Sequence, residues 1–189
     1  MGYSHYRRIN KEINLSSYAA ATAALRVYLL RVRDTYPGLI TGWDGERATE
    51  IECDEHINFN GVGRESCENF IWYKEHAVMV KEDRLAGVVF GGVIENSVFF
   101  STKTRQRAYD EVVLGAMLLL KYYLKDELYI ASDGGDGAFY SGACLLKKVF
   151  EKELAESLTH GGGQVLLGLS MGLTSPELYS RDVSDEEGE

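Results

Sequence analysis

Apolar residues recur every three or four positions in three stretches of the chain, the periodicity of an α-helix with one buried face. Ser16 or Ser17 is expected to cap the first helix, and Thr102 or Thr104 the second. The third helix is expected over about 140–157. The repeating positions are Tyr18, Ala21, Leu25, Tyr28, Leu29 and Val32 in the first helix, Tyr109, Val112, Val113, Ala116, Leu120 and Tyr123 in the second, and Leu146, Val149, Phe150 and Leu154 in the third.

Alternating polar and apolar residues predict β-strands in much of the remaining chain. Residues 2–9 place His5 and Arg7 on one face of a strand and Tyr6 on the other. The segment 85–94 is apolar but contains three glycines, which favours a bent or bulged strand. Further strands are expected over 57–60, where Asn58 and Asn60 would form an exposed face, and over 70–73, 98–100 and 128–131.

This order of elements predicts an α+β fold, with a mixed or antiparallel sheet and two or three helices packed on one face. The length of 189 residues suits a single domain, which we place at 1–175. Residues 176–189 are rich in acids and poor in apolar side chains, so they are expected to form a disordered tail. No run of 18 apolar residues occurs, so we expect no contact with a membrane.

The charge balance argues against one class of partner. A formal net charge of −9 disfavours general binding to nucleic acid, which depends on many Lys and Arg contacts to phosphate. Part of this charge lies in the tail, which leaves room for a local basic pocket. The three cysteines have no CxxC spacing, so they are expected to be reduced thiols in the cytoplasm, with no structural metal.

The segment Ser101–Arg107 is the strongest candidate for a ligand site. It lies where a strand is expected to pass into a helix, and free backbone N–H groups at such a junction attract anions. Lys103 and Arg105 add positive charge, and Thr104 adds a hydroxyl donor. The alternative is a solvated, capped helix start with no ligand.

A second candidate lies after the strand at 128–131. Ser132 and Asp133 open a Gly-rich loop, where the acid could accept a hydrogen bond from a base or a ribose, or hold a cation together with Asp136. An ordinary connection is the alternative. His5 with Tyr6 could supply stacking and a general base, or His5 could be a buried structural residue. No complete catalytic set is present, so we expect no catalytic residues, metal or cofactor.

Four short motifs occur in a fixed order along residues 2–137. They resemble those of a group of small phage-encoded proteins of unassigned function. Arg7 and Ala131 stand where that group has Trp and Ser. The motifs are Gly2-Tyr3-Ser4-His5-Tyr6, Phe59-Asn60-Gly61, Lys103-Thr104-Arg105 with Tyr109-Asp110, and Ser132-Asp133-Gly134.

From these features we expect a binding protein for a small phosphorylated ligand, with a nucleotide as the first candidate, since the twelve tyrosines offer faces for stacking on bases. The resemblance implies a phage protein that acts in the cytoplasm of an infected bacterium. In that setting we expect it to sequester a nucleotide signal of host immunity, and we expect a homo-oligomer. One alternative is a nucleotide or phosphodiester hydrolase with His5 as base, and another is an acidic inhibitor that binds a host protein. The expected binding residues are Lys103, Thr104, Arg105, Tyr109, Asn60, Ser132, Asp133, His5 and Tyr6.

The acidic tail gives a first test. Residues 180–189 contain five acids and one arginine and almost nothing apolar to bury. Deleting them should leave the melting temperature of the protein nearly unchanged, because a solvated segment adds little to the free energy of unfolding. Differential scanning calorimetry of the two chains would measure this, and a drop of more than several degrees would mean that the tail packs on the domain.

Overall fold

The computed structural model describes residues 2–43, 45, 50–82 and 96–160, which form an α+β fold. The helices are α1 (Leu15–Thr35), α2 (residues 76–82), α3 (Asp110–Leu124) and α4 (Phe139–His160). The strands are β1 (Ser4–Asn10), β2 (Ile40–Thr41), β3 (His56–Gly61), β4 (Phe70–Tyr73), β5 (Ser97–Lys103) and β6 (Leu128–Ser132).

The described strands form two small antiparallel sheets rather than one. The first has the order β5-β1-β6, and the second has the order β2-β3-β4. Because β1 is the central strand of the first sheet, His5 lies opposite Thr102 on one neighbour and opposite Ser132 on the other. The α+β prediction is therefore confirmed, and this register brings two of the sequence motifs beside the N-terminal strand.

The alternation predicted for β1 sorts its side chains between two faces. His5, Arg7 and Ile9 are buried, whereas Tyr6 is partly exposed and Arg8 is exposed. The guanidinium of Arg7 lies 3.8 Å from the centre of the Phe70 ring and donates to the carbonyl of Ile71 at 3.2 Å, so it connects the two sheets. Burial lowers the pKa of Arg7 to about 9, which leaves it charged at neutral pH.

Helix α1 packs as its apolar repeat predicts, but its cap differs from the prediction. All six repeating positions are buried. The cap is Asn14, whose side-chain oxygen accepts the backbone N–H groups of Ser16 and Ser17 at 3.0 Å each. The two serines therefore lie inside the first turn as donors, because Asn14 is placed one residue before the helix and satisfies them.

Helix α3 corrects two predictions about the second helix. It begins at Asp110, so Thr102 and Thr104 do not cap it: Thr102 lies in β5, and Thr104 begins the turn that follows. In that turn Arg105 and Gln106 have φ angles of 54° and 56°, a left-handed conformation that cannot continue into an α-helix. The helix is also buried on every side from Val112 to Leu120 rather than along one stripe, because α1 and α4 both pack on it.

The packing of α4 on α3 depends on a close approach at Gly115 and Gly142. A Cβ atom added at Gly142 would lie 2.6 Å from the backbone nitrogen of Gly115 and 2.7 Å from the carbonyl carbon of Leu114. Two backbones can come this close where neither carries a side chain. This contact helps to set where α4 lies beside α3. The helix was predicted over 140–157 and is observed over Phe139–His160.

Strand β3 corrects the expectation of an exposed polar face. Asn58 and Asn60 are both buried, because β3 is the middle strand of its sheet and is covered on both faces. The amide of Asn60 donates to Asn69 at 2.7 Å and accepts the backbone N–H of Cys67 at 2.9 Å, so its polar atoms are paired inside the protein. This satisfies the hydrogen-bonding requirement of a buried amide.

Some predictions concern parts of the chain outside the described residues. These are the bent strand over 85–94, the domain boundary at 175 and the tail at 176–189. Across the described ranges, no helix has both the length and the apolar character needed to cross a bilayer.

The contact between α3 and α4 gives a stability prediction. Gly142→Ala should lower the free energy of unfolding by about 1–3 kcal/mol, because the added methyl group must push apart two packed backbones. Gly137→Ala is the matched control, since no atom lies within 4 Å of a Cβ atom added there. Urea unfolding would measure both, and equal midpoints for the two variants would show that the helices separate without cost.

Candidate functional site

The site is built around the buried imidazole of His5 on β1. Its Nε2 atom lies 2.6 Å from Oδ1 of Asp110 at the start of α3, and its Nδ1 atom lies 3.0 Å from the hydroxyl of Ser132 at the end of β6. A carboxylate only accepts, so Nε2 carries the proton. With the ring proton on Nε2, Nδ1 accepts from the Ser132 hydroxyl, whose oxygen in turn accepts the N–H of Gly134 at 3.1 Å.

Asp110 is held by two donors on the same oxygen. Oδ1 accepts from His5 and from the hydroxyl of Thr104, whose side chain is fully buried. The turn that precedes α3 makes this arrangement possible, because the N–H groups of Thr104 and Arg105 both donate to the carbonyl of Tyr3, at 3.0 and 3.1 Å. The left-handed residues of this turn carry a conformational cost of roughly 1–3 kcal/mol each, which the surrounding hydrogen bonds offset.

Asp133 joins the same strands from the other face of the sheet. Its two carboxylate oxygens accept the backbone N–H of Ser4 and the hydroxyl of Tyr6, each at 2.9 Å. This hydrogen bond from Tyr6 to Asp133 raises the pKa of the Tyr6 phenol. Both oxygens of Asp133 are thus used to fasten the loop after β6 to β1, which is a structural role.

A cleft of about 410 Å³ opens beside Asp110. It lies where the turn before α3, the first turn of α3 and the start of α4 meet. Tyr140 is 75% exposed, so its ring is free to cover a ligand, and the ring of Tyr3 lies edge-on to His5 at 5.3 Å. The side chains that define the cleft are those of Tyr3, Arg107, Asp110, Glu111, Tyr140 and Ser141.

The anion site predicted at a helix start does not lie at one in the structure. Lys103 is the last residue of β5 and Arg105 lies in the turn, so neither stands at a helix start. The N-terminus of α3 is instead matched by acids: Asp110 and Glu111 lie in its first turn, and Glu65 accepts the N–H of Ala108 at 3.1 Å. An anion here would therefore be bound by cationic side chains rather than by the helix dipole.

Of the three cationic side chains from the strand end and the turn, Arg107 lines the cleft. Arg105 is exposed and bonded through its backbone to Tyr3, whereas Lys103 packs its aliphatic stem over Gly2 and pairs with Ser4, on the face of β1 opposite His5. Arg107 is only loosely paired, 3.9 Å from a carboxylate oxygen of Glu65, and the two side chains are 39% and 49% exposed. An exposed pair of this kind contributes little and is readily exchanged for a ligand.

The structure gathers most of the predicted binding residues but not all of them. His5, Thr104 and Ser132 form one network, with Tyr6 and Asp133 fastened to the far side of the same strand. Two predicted residues lie elsewhere. Asn60, in β3, pairs with Asn69 in the segment that leads to β4. Tyr109 is fully buried, and its hydroxyl donates to the carbonyl of Glu68 at 2.8 Å. Burial raises the pKa of Tyr109, in keeping with its place in the core.

None of the residues that line the cleft was among the predicted binding residues, and Arg107, Asp110 and Tyr140 are the most important of those missed. The only sequence signal for Asp110 is its place in the Tyr109-Asp110 motif, where it also fits the ordinary role of an acid near a helix start. Its partner His5 lies 105 residues away, so no local pattern reveals the pair. Tyr140 stands out by its exposure, which the sequence does not give.

The described residues bring together no group of three or more His, Cys, Asp or Glu side chains that could hold a metal ion. The pair Asp133 and Asp136, considered above for a cation, forms no such group within these ranges. Comparison with known proteins gives no relative: no family model matches the chain, and neither does any curated protein or solved structure.

The network predicts a difference between the two faces of β1. His5→Phe should lower the free energy of unfolding by about 2–3 kcal/mol, because it leaves Asp110 and Ser132 without the imidazole. Tyr6→Phe, on the exposed face, should cost less than about 1 kcal/mol, since water can replace the lost hydrogen bond. If chemical unfolding gives the same stability for both variants, the buried network is not what joins these elements.

Proposed function

We propose that the protein binds a small phosphorylated ligand, with a nucleotide as the first candidate, in the cleft beside Asp110. The observation that carries this proposal is the combination of two tyrosine rings, the guanidinium of Arg107 and a firmly held carboxylate around one opening. Aromatic faces stack on bases, cations bind phosphate, and a carboxylate accepts from hydroxyl or amino groups. A nucleotide presents all three kinds of group.

The size and rigidity of the cleft support a small ligand. Its volume of about 410 Å³ lies within the range of roughly 300–1,000 Å³ typical of small-molecule sites. Its floor is organised without a ligand, because His5 and Thr104 already hold Asp110. Binding to such a site loses less free energy to the ordering of side chains than binding to a mobile one.

The charge distribution suggests how the ligand would lie. Arg107 lines the cleft from the turn before α3, and Arg105 lies two residues earlier in the same turn, so phosphate groups belong on that side. Asp110 and Glu111 would repel phosphate and belong beside the neutral part of the ligand. The exposed ring of Tyr140 then faces the base.

Binding is favoured over turnover by the state of His5. Its side chain is fully buried, and both ring nitrogens are engaged by Asp110 and Ser132. A general base must reach the proton that it removes, and neither His5 nor the Ser132 hydroxyl bonded to its Nδ1 is among the residues that line the cleft. Within this proposal, and following the resemblance to phage proteins, the biological role is to sequester a nucleotide signal in an infected bacterium.

Calorimetry with mono-, di- and cyclic nucleotides tests the proposal. Arg105→Ala and Arg107→Ala should each weaken binding of phosphorylated ligands, by about tenfold to a hundredfold where a charged hydrogen bond of roughly 1.5–3 kcal/mol is lost. The melting temperature without ligand should change little, since these side chains lie at the surface. Chelation of divalent metal ions should leave binding intact.

Lys148→Ala is the matched control, because this exposed lysine lies about two turns along α4 from the cleft. It should bind as the wild type does. If the wild-type protein binds none of these nucleotides, the proposal is wrong and a protein partner becomes the leading alternative. If metal removal abolishes binding, or if nucleotides are consumed, a hydrolase is favoured instead.

A further inference from the structure

We infer that Asp110 selects nucleotides whose sugar carries its 2′- and 3′-hydroxyl groups. This inference rests on the proposed function and adds to it the class of ligand and the residue that recognises it. The two oxygens of the Asp110 carboxylate differ in their hydrogen bonds.

One oxygen of Asp110 is saturated and the other is not. Oδ1 accepts from both His5 and Thr104. Within the described part of the chain, no protein donor reaches Oδ2. The Asp110 side chain retains 13% of its exposure and lines the cleft, so Oδ2 is an acceptor available to a ligand. A carboxylate oxygen accepts about two hydrogen bonds, so a ligand that replaces water at Oδ2 must donate to it.

The surroundings restrict which donor fits. Glu111 follows directly in the first turn of α3 and lines the same cleft, so two carboxylates lie close together at this end. A phosphate is repelled there. A vicinal diol is neutral and offers two donors, one for each acid, as acidic side chains accept from ribose hydroxyls in other nucleotide sites.

Because Asp110 is held rigidly, its contact with the sugar distinguishes ligands that carry the hydroxyl groups from ligands that lack them. His5 and Thr104 fix the carboxylate, so it cannot rotate toward water when the ligand lacks a donor. A site built to pair a hydroxyl loses affinity for the analogue without it, because its own polar group is then left unpaired. We expect the protein to bind a ribonucleoside monophosphate at least tenfold more tightly than the corresponding 2′,3′-dideoxy compound.

Asp110→Asn tests the role of the free oxygen without changing the shape of the side chain. His5 donates from Nε2 and needs an acceptor, so the amide oxygen should take the place of Oδ1 and the NH₂ group should face the cleft. A donor then stands where the sugar requires an acceptor. The variant should lose about tenfold in affinity for the ribonucleotide and keep its affinity for the dideoxy compound. A merely structural role would weaken both equally.

The experiment is calorimetry of adenosine, guanosine, cytidine and uridine 5′-monophosphates against their 2′,3′-dideoxy forms, for the wild type, Asp110→Asn and the control Asp126→Asn. Asp126 is an exposed acid in the turn after α3, and its variant should behave as the wild type. Melting temperatures without ligand would confirm that each variant is folded.

The outcomes separate the two proposals. If ribonucleotides bind and the dideoxy forms bind equally well, or if Asp110→Asn preserves the difference, the inference is overturned while the proposed function stands. If no ribonucleotide binds the wild type, the proposed function fails and this inference fails with it. Discrimination in the wild type that disappears in Asp110→Asn alone supports both.

Discussion

A buried imidazole needs partners for both ring nitrogens, and through its two partners His5 ties the N-terminal strand to the start of α3 as well as to the end of β6. Asp110 binds one nitrogen from the start of α3, and Ser132 binds the other from the end of β6. Because these contacts are withdrawn from water, the loss of either partner leaves a polar group unpaired and carries a large cost. The position of the cleft follows from this, since its floor is the outer side of the same carboxylate.

The remaining wall of the cleft depends on how closely α4 approaches α3. Gly115 and Gly142 lie where the helices cross, and the start of α4 carries Tyr140 and Ser141 into the cleft just before that crossing. A side chain at the crossing would move these residues by shifting the whole helix. Packing in the core and the geometry of the surface site are thus coupled through two residues that have no side chain of their own.

Local patterns in the sequence predicted much of the fold and part of the site. The stripes of α1 and α4 and the two faces of β1 follow from periodicity, which depends only on neighbouring residues. The start of α3 did not follow, because Thr104 matches a helix cap in sequence yet is drawn inward to Asp110, and Arg105 and Gln106 take up a left-handed turn. The burial of Asn58 and Asn60 was also missed, because it depends on which strands flank β3 rather than on the local pattern. The pairing of His5 with Asp110 depends on contacts across 105 residues, which no local spacing can give.

The central claim is that a ligand binds on the Asp110 side of this network while the network itself remains intact. Nuclear magnetic resonance of ¹⁵N-labelled protein, titrated with adenosine 5′-monophosphate, tests it most directly. Binding in the cleft should produce saturable shifts at the amides of Arg107, Glu111 and Ser141 and leave the His5 Nε2 proton protected from exchange. Shifts centred instead on Phe99 and Tyr129, on the exposed face of the first sheet, or loss of the His5 proton on binding, would contradict it.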